Sequence, residues 1–426
     1  MSNFTLKILL GSLLLTGLWG CASSGDHTAI GTVDQTTKPS SDAVRVSSEK
    51  TETSEPAVAI GRDNNIYVVY VEHAAENSAD IYLQKFDRDM KLVGERVRID
   101  PKAGTAKAWR GDQPTVQALQ VSGKENVYVG WNLISDNSKD SGNDLVLSVS
   151  TDGGENFSAP VKVNDDTAVA SHAMHGKALG ENEVYFAWLD ERSSKNEPQP
   201  KMKMADSDAK HEHVEPNAEI YFNVLGENGN LAGPNKKVAG EICPCCKVSM
   251  VTANDGRVYI SWRQVLDGDF RHIAVTSTGD KGATFAEPVI VSDDKWQLNA
   301  CPVSGAPMAV SEDGTLRIAW YTAGAAGPAG LYWAESKDQG KTFSPRALVS
   351  EGVVLGTPVI FSDRVIWAAN GKILAKKISG TPADDKPLEL ADGELPSAAA
   401  AGGFIYLAYV KNENGKKTVW LQRSAN

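Results

Sequence analysis

The chain is short of the residues that several large protein classes depend on. Basic residues are outnumbered 43 to 54, for a formal net charge of −11. A nucleic-acid-binding surface would have to be gathered against that average, so this class is excluded. Methionine is scarce, seven in 426, while 38 Gly and 19 Pro punctuate the chain. Many turns and short elements follow from that balance, and coiled coils and helical bundles do not. Beyond the first two dozen residues no apolar run is long enough to span a bilayer. What remains is ordinary globular chemistry, 41% apolar and 23% charged. The length suits two or three average domains, or one large repeat fold.

The first residues are an address. Lys7 precedes an apolar run from Ile8 to Leu18, the length of a signal peptide core, and Leu18-Trp19-Gly20-Cys21 follows. This resembles the bacterial lipobox, in which the Cys is lipidated; Trp19 is atypical of it, and ordinary secretory cleavage is the alternative. Ala22 resembles the outer-membrane default of Gram-negative lipoproteins. From Ala22 the chain is rich in Ser, Thr and Asp and cannot build a core. The expected organisation is a signal peptide over 1–20, a lipidated Cys21 with a flexible tether over 21–42, and one domain over 43–426. The expected location is the outer membrane, facing the periplasm, with the lipid anchor as the membrane contact.

Period-2 alternation recurs as one phrase, an apolar strand with a central aromatic behind a polar turn. It reads Ile66-Tyr67-Val68-Val69-Tyr70, Val127-Tyr128-Val129-Gly130-Trp131, Val184-Tyr185-Phe186-Ala187-Trp188, Val258-Tyr259-Ile260-Ser261-Trp262 and Leu316-Arg317-Ile318-Ala319-Trp320, with weaker copies at Trp367 and Tyr409. Another short strand precedes each phrase and two follow. Four-stranded units repeating without helices predict an all-β chain, a β-propeller. Seven copies predict seven blades; six stay open because the copy at Trp367 is short. The last copy has three strands, and Ala43-Val44-Arg45-Val46-Ser47 is expected to supply its fourth and close the ring.

Three turns narrow the kind of propeller. Ser150-Thr151-Asp152-Gly153-Gly154-Glu155-Asn156-Phe157, Thr278-Gly279-Asp280-Lys281-Gly282-Ala283-Thr284-Phe285 and Ser336-Lys337-Asp338-Gln339-Gly340-Lys341-Thr342-Phe343 resemble the Asp box of sialidases. The chain thus resembles the sialidase, or bacterial-neuraminidase-repeat, superfamily over about residues 43 to 426. The carboxylate is expected to accept backbone N–H bonds inside a hairpin, so Asp152, Asp280 and Asp338 read as structural.

In a propeller, residues at the start of each innermost strand ring the channel mouth. Two such positions carry chemistry: His172-Ala173-Met174-His175 and Cys243-Pro244-Cys245-Cys246, with Cys301 leading into the next blade. The expectation is a metal site of His172, His175, Cys243, Cys245, Cys246 and Cys301, since thiolates with imidazoles suit Cu(I) or zinc. Met202, Met204, His211 and His213, on a long third-blade insertion, add soft ligands and favour copper. Disulfides alone, or redox-active thiols, are the competing readings for four cysteines in an oxidising compartment. Lys177 and Lys247, two residues past His175 and Cys245, and Arg263 and Arg271, are candidates for binding an anion or a glycan.

The resemblance also implies what an active sialidase would need: three Arg on the substrate carboxylate, a Tyr activated by Glu, an acid/base Asp, and an early Phe/Tyr-Arg-Ile-Pro segment. That segment is missing, and Arg110, Arg192, Arg263 and Arg271 do not match the triad. The leading expectation is a lipid-anchored propeller acting in metal handling, redox work or assembly of the envelope, with an envelope protein or a glycan as partner. A glycan-binding or sialidase-like hydrolase is the alternative.

Overall fold

The computed structural model describes residues 43–425, apart from 76–77, 108–111, 135–141, 167–169, 194–217, 227–229, 298–302, 362 and 379–385. The described part belongs to the compact unit Pro39–Asn426. Its secondary structure is 28 antiparallel strands, in five four-stranded sheets and one of eight. The eight-stranded sheet divides naturally in two, because its halves meet through the single pair Ile242↔Gln264. Seven groups of four strands result.

Each recurring phrase forms the second strand of a group. Its central aromatic, Tyr70, Trp131, Trp188, Trp262, Trp320, Trp367 or Tyr409, is among the most deeply buried side chains. That burial explains why so few aromatics suffice: one large ring fills the layer between neighbouring sheets. The first strands Glu52–Ile60, Thr115–Val121, His172–Leu179, Ser249–Thr252, Met308–Val310, Leu355–Phe361 and Glu394–Ala401 each touch the next, and the last returns to touch the first. Val44–Arg45 pairs with the final strand, Val44 opposite Leu421 and Arg45 opposite Trp420. It supplies the fourth strand of the seventh group and covers an edge that would otherwise expose unpaired backbone.

The three Asp-bearing turns hold this stack together. Asp280 accepts the Thr284 N–H at 2.9 Å and Asp338 that of Thr342 at 2.9 Å, while Asp152 accepts from Asn156 at 3.0 Å. Gly154, Gly282 and Gly340 sit at φ between 78° and 91°. A Cβ there would also press on Tyr67, Phe222 or Tyr259 of the preceding group. Glycine is therefore required twice, for conformation and for the close approach.

The first strands begin with a bulge in several groups, at Glu55 (φ 51°), Met174 (φ 53°) and Leu395 (φ 50°). The bulge re-aims the residues around it. This local device decides where the candidate residues of the third and fourth groups point.

Candidate functional site: a buried sulfur cluster

The third group ends in Lys236–Ile242, and the chain then turns through Cys243-Pro244-Cys245-Cys246 before the fourth group begins at Ser249. Both ends of this turn are pinned. Cys243 N–H donates to Arg263 O at 3.0 Å, and Val248 N–H donates to the bulge carbonyl of Met174 at 2.9 Å. Gln264 Nε2 donates to Gly240 O at 3.0 Å and to Glu241 O at 2.9 Å. A tight, fixed turn leaves its side chains little choice, and three sulfurs converge.

Cys243 Sγ lies 3.8 Å from Cys245 Sγ and 3.8 Å from Cys246 Sγ, and all three sulfurs fall within 4.8 Å of one another. Cys243 and Cys246 are buried free thiols. Cys245 is half-buried and disulfide-bonded; since the other two described cysteines are free, its partner lies outside the described residues. Cys301 itself lies there too.

The two free thiols differ in acidity. The Cys243 S–H donates to Cys246 and pulls its pKa down to about 6, against burial, with the Arg263 guanidinium and the Ser304 N–H adding to the effect. Cys243 moves the opposite way, held protonated by the neighbouring sulfur anion and by burial. Arg263 is itself buried, donating to Tyr321 O at 3.0 Å and stacked 4.8 Å from the centre of the Trp296 ring. A fixed cation beside a thiol is the environment that makes a cysteine nucleophilic.

A cleft of about 550 Å³ opens beside the cluster, lined by Glu241, Val265, Asp267, Phe270, His272 and Lys295 among others. Val265 is the shared wall, because it also packs against Cys243 and Cys246. His272 is held neutral by burial, which lowers its pKa against the pull of Asp294 and Asp293.

The two histidines expected as metal ligands are placed elsewhere. His172 pairs across the strand with Asp190. Its Nδ1 donates to Asn143 O at 2.7 Å and its Nε2 faces Asp166 at 2.9 Å. Burial alone would lower its pKa, but the nearby Asp166 and the charge of Asp190 raise it. His175 is turned by the Met174 bulge against Gly130, where its Nε2 meets Thr115 Oγ1 at 3.1 Å. Burial and Lys247 bring its pKa down to about 4. The sulfur group therefore contains no imidazole among the described residues. The physical reason is the bulge, which breaks the simple alternation on which the expected convergence relied.

Lys177 and Lys247 do come into one neighbourhood, donating to Val116 O and Gln113 O, each at 2.8 Å. Arg271 is bound to Asp269 and Arg263 serves the cysteines, so neither reaches out as a free ligand-binding group. Met202, Met204, His211, His213, Arg110 and Cys21 lie outside the described residues. Two elements escaped the sequence reading: Arg263 as the partner of a cysteine, and the Cys243-x-x-Cys246 dithiol. The second was legible in the spacing, since the two outer cysteines of the motif stand three apart.

No known family model matches the sequence, and no curated protein does. Among solved structures, a Dyadobacter fermentans protein of unknown function is similar at 15% identity and a TM-score of 0.50, over 90% of this chain and 99% of that one. A Hadza microbial sialidase is similar at 13% identity and 0.46, over 84% and 76%. An α-L-arabinofuranosidase of Fusarium graminearum is similar at 10% and 0.48, over 88% and 93%. The likeness is one of fold alone.

Proposed function

We propose that this protein is a seven-bladed propeller carrying a thiol–disulfide exchange centre at Cys243, Cys245 and Cys246, and that it acts on thiols or disulfides of other envelope proteins. The observation that carries the reading is the position of Cys243 Sγ, 3.8 Å both from the bonded sulfur of Cys245 and from the thiol of Cys246. The seven-blade count rests on the seven groups of four strands whose first strands touch in a cycle. Export and lipidation at Cys21 rest on the leader sequence. No helix among the described residues is long and apolar enough to cross a membrane.

Cys301 is the proposed partner of Cys245. The chain just beyond it runs along the cysteine turn: the Ser304 N–H reaches Cys246, and a Cβ on Gly305 would lie 2.7 Å from Lys247 O. Val303, β-branched yet at φ 45°, stores backbone strain at this point.

The exchange then balances internally. Cys243 passes its proton to the Cys246 thiolate and attacks Cys245 Sγ; the old S–S bond breaks and its electron pair leaves on the Cys301 sulfur. Cys246 gives its proton to that departing thiolate and attacks Cys243, releasing Cys245 as a thiolate that is protonated by solvent as Cys301 titrates. Two thiols and one disulfide become one disulfide, Cys243–Cys246, and two thiols. A client thiol entering the cleft beside Val265 would attack in place of Cys243.

A second reading shares the site. If the Cys245 bond is reduced, three thiolates would stand together, two separations being 3.8 Å and the third within 4.8 Å, close to the spacing of sulfurs around a tetrahedral ion with metal–sulfur bonds of about 2.3 Å. A soft cation, Cu(I) or zinc, fits that donor set. Elemental analysis of anaerobically purified protein, alongside thiol counting, separates the two. Two thiols and no stoichiometric metal support exchange; four thiols with one bound metal, lost in Cys246→Ser, overturn it in favour of the metal site.

A further inference from the structure

The sulfur cluster leaves a neighbouring pair of cations without a role. Lys177 belongs to the first strand of the third group and Lys247 to the turn that leads into the fourth. Lys247 Nζ reaches Gln113 O of the second group. To do so its side chain passes the whole third group on the side where the first strands face one another. Lys177 Nζ reaches Val116 O, three residues further along the same segment. Both side chains therefore run along the inner wall formed by the first strands of groups two, three and four.

Their charges are poorly answered. Neither ammonium has a carboxylate within 4.0 Å among the described ion pairs, which otherwise occupy most of the partly buried cations. Asp112, the acid acting on Lys247 at longer range, accepts on its Oδ2 from Asn132 Nδ2 and from the Met174 N–H at 3.1 Å, while its buried Oδ1 is left without a hydrogen bond. An ammonium has three donors, and a single carbonyl is the one protein acceptor each is recorded using. Burial lowers the pKa of Lys177 to about 7, with Lys247 adding to the push. Two half-buried cations set side by side, with one carboxylate acting at longer range, are costly in any fold. The backbone packs closely here, since a Cβ on Gly176 would strike Val248 O and one on Gly305 would strike Lys247 O, each at 2.7 Å.

We infer that Lys177 and Lys247 form a binding site for a small oxyanion, a carboxylate or a sulfate, on the inner wall of the propeller. Its oxygens would take the donors that the carbonyls of Gln113 and Val116 leave over and supply the missing negative charge. The site is distinct from the thiol chemistry, because neither lysine touches a sulfur in the described contacts. Recognition of a free small anion and of an anionic group on a larger molecule share this chemistry.

The test is calorimetric titration of the intact protein with malonate, with sulfate and with chloride as control, for the natural chain, Lys177→Met, Lys247→Met and the double variant. Methionine keeps the apolar stem, so packing is largely preserved. Malonate or sulfate is expected to bind and to raise the melting temperature, with affinity falling about tenfold or more in each single variant and vanishing in the double one. Preference for malonate would identify a carboxylate ligand, and preference for sulfate a sulfated one. If a variant does not fold, protection of Lys177 and Lys247 from acetylation in the natural chain, mapped by mass spectrometry, gives the same answer. Cys246→Ser should bind the anion as the natural protein does, which keeps this result separate from the fate of the exchange centre. Absence of binding by every oxyanion, or binding unchanged in the double variant, overturns the inference.

Discussion

Two buried polar clusters flank the third group of strands, and they are built on opposite rules. Around His172 the carboxylates and the guanidinium are paired with one another, and His172 Nε2, though it makes no hydrogen bond, stands 2.9 Å from Asp166. Asp190 accepts from the Trp188 indole at 2.8 Å and from Arg192 at 2.7 Å, while Arg192 also binds Asp165 at 2.7 Å and stacks 3.9 Å over Tyr221. Around Cys243 the groups are mutually unfinished: two thiols of unequal acidity, a bonded sulfur within reach and a guanidinium with an unpaired buried Nε. A satisfied network fixes a structure, whereas an unsatisfied one is a place where bonds can change. The comparison argues that the histidine cluster is a clamp between sheets and the cysteine cluster is the working site.

The largest effect should come from breaking the clamp. Asp190→Ala removes the fully buried carboxylate that Arg192 and the Trp188 indole both bind, and chemical denaturation should show a loss of about 3–5 kcal/mol. The folded fraction should keep two reactive thiols. A loss below 1 kcal/mol, or a change in thiol count, would blur the distinction between the clusters.

Cys246→Ser should do the reverse. Stability should change little, but alkylation of the remaining thiol at neutral pH should slow on the order of a hundredfold, because the acidic thiol is gone and Cys243, though relieved of the neighbouring anion, is still raised by burial. Stopped-flow alkylation measures this directly, and an unchanged rate would mean that Cys246 is not the acidic thiol of the pair.

The pH dependences should also separate. Thiol reactivity of the natural protein should fall as pH drops through about 6, where Cys246 gains a proton. The clamp behaves oppositely. The His172 pKa is raised on folding, so its stabilisation is complete below the unfolded value of about 6.5 and fades as pH rises through the folded one. Melting curves across that range should show this slope in the natural chain and its loss in His172→Gln. The smallest effect belongs to the turn carboxylates: Asp152→Ala should lower the melting midpoint slightly and leave thiol reactivity alone.

The difference between the clusters also explains what could be read from the sequence. The strand phrases and the Asp turns are local patterns, with partners a few residues away, and so the four-stranded groups were legible; the long-range pairing of Val44–Arg45 with the last strand was legible from the missing fourth strand of the final copy. The gathering of Cys243, Cys245 and Cys246 was legible for the same reason. The two histidines were not, because a single bulge at Met174, with φ 53°, turns His175 toward Gly130 while His172 stays paired beside Asp190. Nor was Arg263, whose approach to Cys246 depends on two groups of strands meeting at Ile242 and Gln264. Alternation along a strand predicts faces; it does not predict which strands are interrupted.

The most direct test of the exchange centre is to poise the protein in glutathione buffers of increasing reducing strength and map each cysteine by differential alkylation and mass spectrometry. The account predicts that a Cys243–Cys246 disulfide appears as Cys245 is released, with the total number of thiols unchanged in that step. Reduction of Cys245 with Cys243 and Cys246 remaining thiols at every potential would contradict it.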